Sequence, residues 1–308
     1  MNGTGAGRYA PSPSGDLHLG NLRTALLAWL FARSTGRAFL MRIEDTDRAR
    51  DAGAAGRQLA DLAAIGLDWD GEPVRQSERI ADHEAAIARL AAAGLVYECT
   101  CTRREILEAP SAPHAPPGAY PGTCRDRTPD ERAAARTAIA PREPALRLRA
   151  PAGEQRLAFD DLLLGRVEGT VDDLVLRRGD GALAYSPAVV VDAGAMGVDE
   201  VVRGEHRAPS TPRQILLQRL LGLPTPVYAH VPLVLGPGGA RLAKRDGAVT
   251  LAELAAQGIG AERVRSLLAV SLGLADPEEP VEMRRILERF DPGALPREPG
   301  VWRPPATA

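Results

Sequence analysis

The feature that most constrains the fold lies at the start of the chain, where a strand, a glycine turn, a helix and a second strand follow in succession. Arg8–Pro11 is a short extended run, and Gly15 permits the sharp turn after it. From Leu17 apolar residues recur at helical spacing until Gly36, and Ala38–Ile43 is a compact apolar strand. A β-α-β unit of this kind requires a parallel sheet. We therefore predict an α/β fold with a Rossmann-like parallel sheet and helices on both faces.

The rest of the chain divides into further segments by its pattern of helices, strands and breakers. Helices are predicted near Ala52–Ile65 and Arg79–Ala93, and Glu108–Gly122 is an irregular stretch dense in proline, alanine and glycine. Short strands then indicate an inserted mixed α/β domain, after which strands and helices alternate again. The predicted segments are the first half of the Rossmann-like domain at 1–96, the insert at 97–179, the second half at 180–248 and a short helical C-terminal segment at 249–308.

Composition narrows the class of protein. Of the 308 residues 44% are hydrophobic and 25% are charged, which is enough to bury a sizeable core. The formal net charge of −2 gives no overall attraction to nucleic acid, so any RNA contact requires a local basic face. No apolar run approaches the roughly 20 residues of a membrane span, and Met1–Gly7 does not resemble a signal peptide. The chain is expected to be cytoplasmic and monomeric.

The first candidate site is the segment from Arg8 to Asn21, at the turn between the predicted strand and helix. A helix that begins near Leu17 directs backbone N–H groups and its positive end outward, which suits a nucleotide phosphate. His18 and Asn21 lie three residues apart on one face, and Gly20 allows a flat base or ribose to approach. The plain alternative is an ordinary strand–helix turn with a surface histidine.

The second candidate is Lys244, the only lysine among 38 basic residues, which lies in the loop Arg241–Gly247. This loop follows a strand and a glycine-rich turn, so it is expected to be mobile. A compact ammonium in a mobile loop can neutralise the charge that builds on a leaving pyrophosphate. The alternative is a solvated basic loop in a chain whose composition disfavours lysine.

Together, these segments resemble the two signatures of class I aminoacyl-tRNA synthetases, known as HIGH and KMSKS. His18–Asn21 matches the first signature and Arg241–Arg245 matches the second. The surrounding motifs resemble the glutamyl branch, and the likeness extends in order from about Gly7 to Gly258. Those motifs are Arg8-Tyr-Ala-Pro-Ser-Pro-Ser-Gly15, Arg42-Ile-Glu-Asp-Thr-Asp47, Val202-Arg-Gly-Glu205 and Thr211-Pro-Arg-Gln214.

Three of the residues that differ from these signatures bear on the expected chemistry. Asn21 stands where the first signature has its second histidine, while Arg241 and Ala243 replace the first lysine and the serine of the second. An amide keeps a hydrogen-bond donor near the phosphates, so activity is expected to survive. The missing serine hydroxyl weakens the expected contact between the loop and the phosphates without changing the reaction class.

The length of the chain is similar to that of proteins in a truncated branch of the family. Glutamyl-tRNA synthetases carry a large helical anticodon-binding domain after the second signature, whereas only 61 of the 308 residues follow Gly247. The resemblance is therefore to glutamyl-Q tRNA(Asp) synthetases, the paralogues without this domain. It implies ATP-dependent activation of L-glutamate, with no tRNA needed, and transfer of glutamate to the queuosine base of tRNA(Asp).

Three cysteines, Cys99, Cys101 and Cys124, cluster in the predicted insert. An odd number of clustered thiols in a cytoplasmic chain favours metal over a disulfide, and three thiolates suit Zn²⁺, which takes four ligands in a structural site. In the paralogue family the fourth ligand is a tyrosine at the position of Tyr120. His114 competes on chemical grounds, since histidine is a commoner zinc ligand, and three reduced thiols without metal are the remaining alternative.

The resemblance also implies which residues hold glutamate and ATP. A substrate with two carboxylates and one ammonium needs guanidinium groups and one acid, which agrees with the residue types in the set. An alternative for Glu44 is a strand-end charge among neighbouring ionic residues. The expected glutamate-binding residues are Arg8, Ala10, Ser12, Glu44, Tyr185 and Arg203, and the expected ATP-binding residues are His18, Gly20, Asn21 and Lys244, of which His18, Asn21 and Lys244 act in catalysis.

The predicted reaction has two steps. The glutamate α-carboxylate attacks the α-phosphorus of ATP, with Mg²⁺ expected on the phosphates, and a hydroxyl of the RNA then attacks the activated carbonyl. His18 and Lys244 stabilise charge in the first step, which requires both segments to lie on one triphosphate. Three alternatives stay open: a shortened glutamyl-tRNA synthetase that charges tRNA(Glu), a glutamate ligase with a non-tRNA acceptor, and a non-catalytic binding protein derived from a synthetase.

Overall fold

The computed structural model describes residues 5–46, 53–109, 119–240, 242 and 249–302. The strands in these ranges are β1 (Ala6–Tyr9), β2 (Ala38–Ile43), β3 (Val74–Arg75), β4 (Val96–Cys99), β5 (Ala145–Leu148), β6 (Arg156–Asp161), β7 (Gly165–Thr170), β8 (Val175–Arg177), β9 (Glu200–Gly204), β10 (Val227–Val231), β11 (Val234–Leu235) and β12 (Gly300–Val301). The helices are α1 (Leu19–Ser34), α2 (Ala55–Ala64), α3 (Ile80–Ala92), α4 (Arg103–Glu108), α5 (Pro129–Ile139), α6 (Tyr185–Ala195), α7 (Thr211–Leu220), α8 (Leu251–Ala255), α9 (Ala261–Val270) and α10 (Met283–Arg289). None of these described helices is both long enough and apolar enough to span a membrane.

The central sheet is built from both halves of the chain. Strands β1, β2 and β3 pair in parallel in that order, with Ala6 opposite Ala38. Strands β9, β10 and β6 also pair in parallel, and a bridge between Ala6 and Val198 joins β1 to the segment that leads into β9. The predicted β-α-β unit is confirmed, because β1, α1 and β2 form it at the middle of this sheet.

A hairpin from the middle of the chain extends the sheet at one edge. Strand β7 pairs antiparallel with β6, and β6 lies parallel to β10 where Asp161 is opposite Tyr228. Both strands of the hairpin fall within the segment 97–179, so part of that segment belongs to the central sheet. Alternation of polar and apolar residues predicts a strand but not the strand with which it pairs, so the sequence pattern could not predict this pairing. The division of the chain at 97 and 179 stays a prediction.

Helix α1 is buried on most of its surface and forms the centre of the main core. Leu22, Leu26 and Leu30 are inaccessible to solvent, and the buried guanidinium of Arg23 donates to the carbonyl of Pro232 at 3.1 Å. Strands β1, β2 and β9 pack on the helix, and so do the C-terminal helices α9 and α10. Replacing one of these leucines by alanine is expected to cost about 2–5 kcal/mol. Because α1 is packed in this way, the position of its first turn is fixed by the core.

A second sheet lies within the segment 97–179. Strands β4, β5 and β8 form it in antiparallel order, separate from the central sheet. A small buried cluster includes two residues of β4, and its members are Tyr97, Cys99, Tyr120 and Cys124. The predicted cysteine cluster therefore has a local core of its own, much smaller than the core around α1.

Two elements show how single residues set the limits of strands and helices. The apolar run His230–Leu235 is divided between β10 and β11, because Pro232 has no N–H to pair. Helix α1 begins at Leu19 rather than near Leu17, because the side chain of His18 caps it.

Candidate active site

An open cleft of about 520 Å³ lies at the carboxyl ends of β1, β2 and β9. Open parallel sheets bind ligands at this edge, where the loops after the strands converge. The predicted residues that line the cleft are Arg8, Ala10, Ser12, His18, Gly20, Asn21, Glu44, Tyr185 and Arg203. The tertiary structure therefore brings together every predicted glutamate and ATP residue except Lys244, which lies outside the described residues.

The first turn of α1 forms one wall of the cleft. His18 is the N-cap of the helix, and its Nδ1 accepts a hydrogen bond from the backbone N–H of Asn21 at 3.3 Å. In return, Oδ1 of Asn21 accepts from the backbone N–H of His18 at 3.3 Å. Since Nδ1 accepts, the proton of the neutral ring lies on Nε2. Asn21 therefore has a structural role at the helix start that the signature comparison did not reveal.

Gly20 is required by the packing of His18. A Cβ atom at position 20 would lie 3.0 Å from Cε1 and 3.1 Å from Nδ1 of the His18 ring. These distances are shorter than ordinary van der Waals contact, so a side chain there would displace the ring. The sequence suggested close approach of a ligand as the reason for this glycine, and the structure adds the histidine as a second reason.

The second signature segment reaches the same wall through both of its flanks. Leu242 lines the cleft beside the first turn of α1. On the other flank, the carbonyl of Val249 accepts from the N–H of Leu19 at 2.9 Å, and Thr250 forms a bridge with His18. Both flanks of this loop therefore lie at the start of α1. Its central residues, which are Arg241, Ala243, Lys244 and Arg245, lie outside the described residues.

Two arginines give the floor of the cleft its positive charge. Nη1 of Arg8 donates to the carbonyl of Val202 at 3.0 Å. Burial, followed by the nearby guanidinium groups of Arg42 and Arg203, lowers the pKa of Arg8 to about 10. Among the described residues, neither Arg8 nor Arg203 forms an ion pair with a carboxylate. A guanidinium still stays charged at neutral pH, so this floor favours an anionic ligand.

One acid and one phenol complete the lining. Glu44 follows β2, and its Oε1 accepts from Nη2 of Arg42 at 2.9 Å. The other two nitrogens of Arg42 are buried without a hydrogen-bond partner in the described residues. Tyr185 begins α6 and is 38% exposed, with the guanidinium carbon of Arg207 4.7 Å from its ring centre. Arg42 therefore holds the carboxylate of Glu44 in position, while the phenol of Tyr185 lies at the open side of the cleft.

Gln58 is a functional-site residue that the sequence did not indicate. It lies in α2 and is almost fully buried, at 2% exposure. Its Nε2 donates to the carbonyls of Ser12 and Gly15, at 3.0 and 2.6 Å. These bonds hold the turn between β1 and α1 in place from the outside. No sequence signal marked Gln58, because a single glutamine in an amphipathic helix usually faces solvent.

The three cysteines converge on one point. Their Sγ atoms all lie within 4.8 Å of one another, and the Sγ atoms of Cys101 and Cys124 are 3.5 Å apart. Oη of Tyr120 lies 3.4 Å from Sγ of Cys99 and 4.0 Å from Sγ of Cys101. Tetrahedral zinc with Zn–S bonds near 2.3 Å places its sulfurs about 3.8 Å apart, so this donor set fits zinc. His114, the competing ligand, lies outside the described residues.

A buried arginine lies against this donor set. The guanidinium carbon of Arg147 is 3.7 Å from the ring centre of Tyr120, and its Nη1 donates to the carbonyl of Asp173 at 2.8 Å. Its Nε has no hydrogen-bond partner among the described residues. A buried cation so placed suits a cluster of thiolate and phenol oxygen ligands, whose combined charge exceeds that of one Zn²⁺.

A larger groove of about 980 Å³ links the cleft to the cysteine cluster. Ser12, Glu44 and Tyr185 line it at the cleft end, and Cys101 and Tyr120 line it at the other. Five arginines line the groove, namely Arg103, Arg142, Arg147, Arg178 and Arg213. A local basic face, which the overall net charge of the chain did not reveal, therefore lies beside the residues predicted to bind glutamate.

Comparison with known proteins agrees with this geometry. The family model of class I tRNA synthetases (E and Q), catalytic domain, matches residues 6–290. The glutamyl-Q tRNA(Asp) synthetase of Nocardia farcinica is 63% identical over 96% of this chain and 93% of that protein, and that of Symbiobacterium thermophilum is 49% identical over 95% and 94%. The glutamate–tRNA ligase of Geobacter sulfurreducens is 41% identical over 96% of this chain and 63% of that protein.

A solved structure agrees as well. A glutamate tRNA ligase from Elizabethkingia meningosepticum, crystallised in complex with its amino acid, superposes with a TM-score of 0.82 at 27% identity, over 97% of this chain and 67% of that one. The Rossmann-like class I synthetase fold is thereby confirmed. With the cleft, the capped first turn of α1 and these matches together, the chain belongs to the class I tRNA synthetases for glutamate and glutamine and, within them, to the glutamyl-Q tRNA(Asp) synthetase family.

Proposed function

We propose that this chain activates L-glutamate with ATP and transfers the glutamyl group to the queuosine base of a tRNA(Asp). The observation that carries this proposal is the 63% identity to a glutamyl-Q tRNA(Asp) synthetase over nearly the whole length of both chains. The cleft supports it, since its lining suits a small ligand with two carboxylates and one ammonium beside a helix N-terminus. The expected monomeric state and cytoplasmic location belong to the same proposal.

Glutamate is proposed to bind on the floor of the cleft. Arg8 and Arg203 offer guanidinium forks to its two carboxylates, and Glu44 accepts from its ammonium group. The absence of protein carboxylates paired with either arginine, within the described residues, supports this assignment. Tyr185 adds a phenol donor at the open side, while Ala10 and Ser12 line the wall where the substrate would enter.

ATP is proposed to lie with its triphosphate at the first turn of α1. The positive end of the α1 dipole favours the phosphates there, Nε2–H of His18 is proposed as a donor to them, and Lys244 is proposed to add its ammonium charge. Mg²⁺ would supply charge neutralisation on the phosphates. The glutamate carboxylate oxygen bonds to the α-phosphorus while the bond to pyrophosphate breaks, and His18 and Lys244 stabilise the charge that moves onto the leaving group.

The second step is proposed to take place from the groove. A hydroxyl group of the queuosine base attacks the glutamyl carbonyl, the bond to AMP breaks, and the proton of that hydroxyl is released to solvent. Arginines along the groove can bind phosphates and stack on bases, which suits a nucleotide presented from a loop. Zn²⁺ on Cys99, Cys101, Cys124 and Tyr120 is proposed to order the far end of this groove.

Two assays test the proposal in sequence. Glutamate-dependent exchange of ³²P-pyrophosphate into ATP, without RNA, is expected and would exclude a non-catalytic binding protein. Labelled glutamate should then appear in tRNA(Asp) that contains queuosine, and not in tRNA(Asp) transcribed without it. Exchange with no labelled RNA would instead indicate a ligase with a different acceptor.

Charging of tRNA(Glu) is the second candidate function. It is favoured by the 41% identity to a glutamate–tRNA ligase and by the superposition on another. That match covers 63% of the ligase, compared with 93% of the glutamyl-Q relative. Acylation of purified tRNA(Glu) at its 3′ end, with tRNA(Asp) unlabelled, would decide for this candidate.

A further inference from the structure

A buried hydrogen-bonded chain connects the edge hairpin to the floor of the cleft. Asp161, the last residue of β6, places Oδ2 2.6 Å from Nδ1 of His230 on β10. Nε of Arg203, on the adjacent strand β9, donates to Nε2 of His230 at 3.1 Å. All three side chains are buried, and Arg203 is the one that lines the cleft.

Chemistry sets the direction of each hydrogen bond in this chain. A guanidinium only donates, so Nε2 of His230 must accept and the proton of the neutral ring must lie on Nδ1. Asp161 accepts from that Nδ1–H and so keeps this tautomer. Burial lowers the pKa of His230 despite the opposing effect of Asp161, so the ring is neutral near pH 7.

Asp161 is itself held by the backbone. Its Oδ1 accepts from the N–H groups of Leu163 and Leu164, both at 3.0 Å, and the N–H of His230 also donates to the carboxylate. Burial alone would raise the pKa of Asp161, but the bonds from His230 and from these N–H groups lower it overall. The carboxylate is therefore ionised and fixed in place before any ligand arrives.

The far side of the Arg203 guanidinium is held as well. Nη1 donates to Oε1 of Gln214 at 2.9 Å, and Nη2 donates to Oγ1 of Thr211 at 2.8 Å. With the bond to His230, three of the five N–H groups are used and the plane of the guanidinium is fixed. The two that remain are available to a ligand in the cleft.

We infer that Asp161 and His230 are positioning residues for the amino-acid substrate, which set the orientation of Arg203 from behind through the His230 tautomer. The inference rests on the proposed function, because it gives Arg203 a substrate carboxylate to bind. Neither residue touches the substrate. Without the aspartate, His230 can carry its proton on Nε2, and that N–H would then face the Nε–H of Arg203, donor against donor.

The variant Asp161→Asn tests this chain. It keeps the shape of the side chain but turns one oxygen into a donor, which removes the preference for Nδ1–H. We expect the KM for glutamate in pyrophosphate exchange to rise roughly 10-fold or more, the size associated with a lost hydrogen bond to a charged group. The KM for ATP and kcat should stay within about threefold, since the first turn of α1 is untouched.

A matched control is available in the same protein. Asp192 is a second buried aspartate paired with a histidine, with its Oδ1 2.8 Å from Nε2 of His83, and it does not line the cleft. Asp192→Asn should disturb folding to a similar degree and leave the KM for glutamate unchanged. An equal rise in KM for both variants would overturn the inference, because loss of stability would then explain it.

Two further measurements keep the test decisive. ¹⁵N NMR of the imidazole should show Nδ1–H for His230 in the wild type and a shift toward Nε2–H in Asp161→Asn, and an unchanged tautomer with unchanged KM would refute the inference. If Asp161→Asn does not fold, Thr211→Val removes a hydroxyl that lies 3.2 Å from Nε2 of His230 and 2.8 Å from Nη2 of Arg203, and it should raise the same KM alone. Wild-type protein without glutamate-dependent exchange would refute the proposed function itself, whereas active wild type with unaffected variants would refute only this inference.

Discussion

The cleft and the cysteine cluster each gather groups of like charge, but they hold them in opposite ways. In the cleft, burial and the nearby guanidinium groups of Arg42 and Arg203 lower the pKa of Arg8, yet Arg8 and Arg203 each donate to neutral oxygens and nitrogens of the protein. In the cluster, the sulfurs of Cys101 and Cys124 are 3.5 Å apart, and the described cation beside them, Arg147, lies over the ring of Tyr120 rather than between the sulfurs. The cleft is therefore organised by contacts within the protein, whereas we expect the cluster to gain order from the zinc proposed to bind there.

The size of the surrounding core explains this difference. Around α1 many fully buried apolar side chains hold the first turn in place. Around the cysteines the local core consists of Tyr97, Cys99, Tyr120 and Cys124. So small a core supplies little hydrophobic stabilisation, and small domains commonly add a metal for this reason. Loss of the metal should thus disturb the cluster far more than loss of glutamate disturbs the cleft.

The largest expected effect is on zinc affinity in Cys124→Ser. If the roughly 10–16 kcal/mol of apparent zinc binding in small domains is shared by four ligands, one ligand is worth about 2.5–4 kcal/mol, or roughly 10²–10³-fold. Glutamate-dependent exchange should persist, since the cleft has its own core. Zinc content by atomic absorption and exchange rate, measured together, check this. Full zinc content in the variant would remove Cys124 from the ligand set.

The variant Lys244→Ala tests the opposite case, in which the ATP site is changed and the cysteine cluster is left intact. We expect pyrophosphate exchange to fall by roughly 10²-fold or more, as for removal of a key charge donor, with little change in glutamate binding and full zinc content. Steady-state exchange and isothermal titration with glutamate measure the two quantities. A variant that exchanges at the wild-type rate would refute the assigned role of Lys244.

A third variant tests whether Arg147 contributes to zinc binding at the cysteine cluster. Arg147→Met removes the buried cation over Tyr120 and keeps most of the apolar volume, so zinc affinity should fall roughly 10–100-fold. Arg149→Met is the control, because the guanidinium of Arg149 lies over the ring of Tyr97, 5.3 Å from its centre, rather than over Tyr120. Competition with a chromogenic chelator measures both. Equal zinc affinity in the two variants would contradict a specific role for Arg147.

The smallest expected effect is a difference in pH dependence. Burial lowers the pKa of His230 below its usual 6.5, so the unfolded chain takes up a proton at this residue before the folded one does. The free energy of unfolding should therefore fall as pH falls from about 6.5, by up to about 1.4 kcal/mol per pH unit for this group. Urea denaturation between pH 7.5 and 5.5 should show a shallower decline in His230→Gln. Parallel declines would show that His230 does not contribute.

Local sequence patterns predicted the helices and strands whose formation depends on residues close together in the chain. The helical spacing after Leu17 and the compact run Ala38–Ile43 predicted the β-α-β unit, and the structure has α1 and β2 within two residues of these limits. The three cysteines also indicated a metal site, and they converge as expected. Such patterns are informative because periodicity and residue chemistry act over short stretches of chain.

Contacts between distant segments could not be predicted in this way. Gln58 reaches the turn before α1 across more than forty residues, and Asp161 reaches His230 from a hairpin that local pattern placed in the insert. The reciprocal capping bonds between His18 and Asn21 join residues only three apart. The resemblance to a signature with a histidine at position 21 predicted phosphate binding there, and not helix capping. In each case a polar residue has many possible partners, and only burial selects one.

The sequence by itself indicated the reaction class, through its resemblance to two signatures, and the three thiols to which a metal could bind. The tertiary structure decided how these parts act together: it brought both flanks of the second signature to the start of α1, turned the arginines of β1 and β9 toward one cleft, and placed Asp161 and His230 behind Arg203. The physical reason is that chemistry belongs to side chains and is visible in sequence, whereas orientation depends on packing and on hydrogen bonds between strands that are neighbours only in the folded sheet.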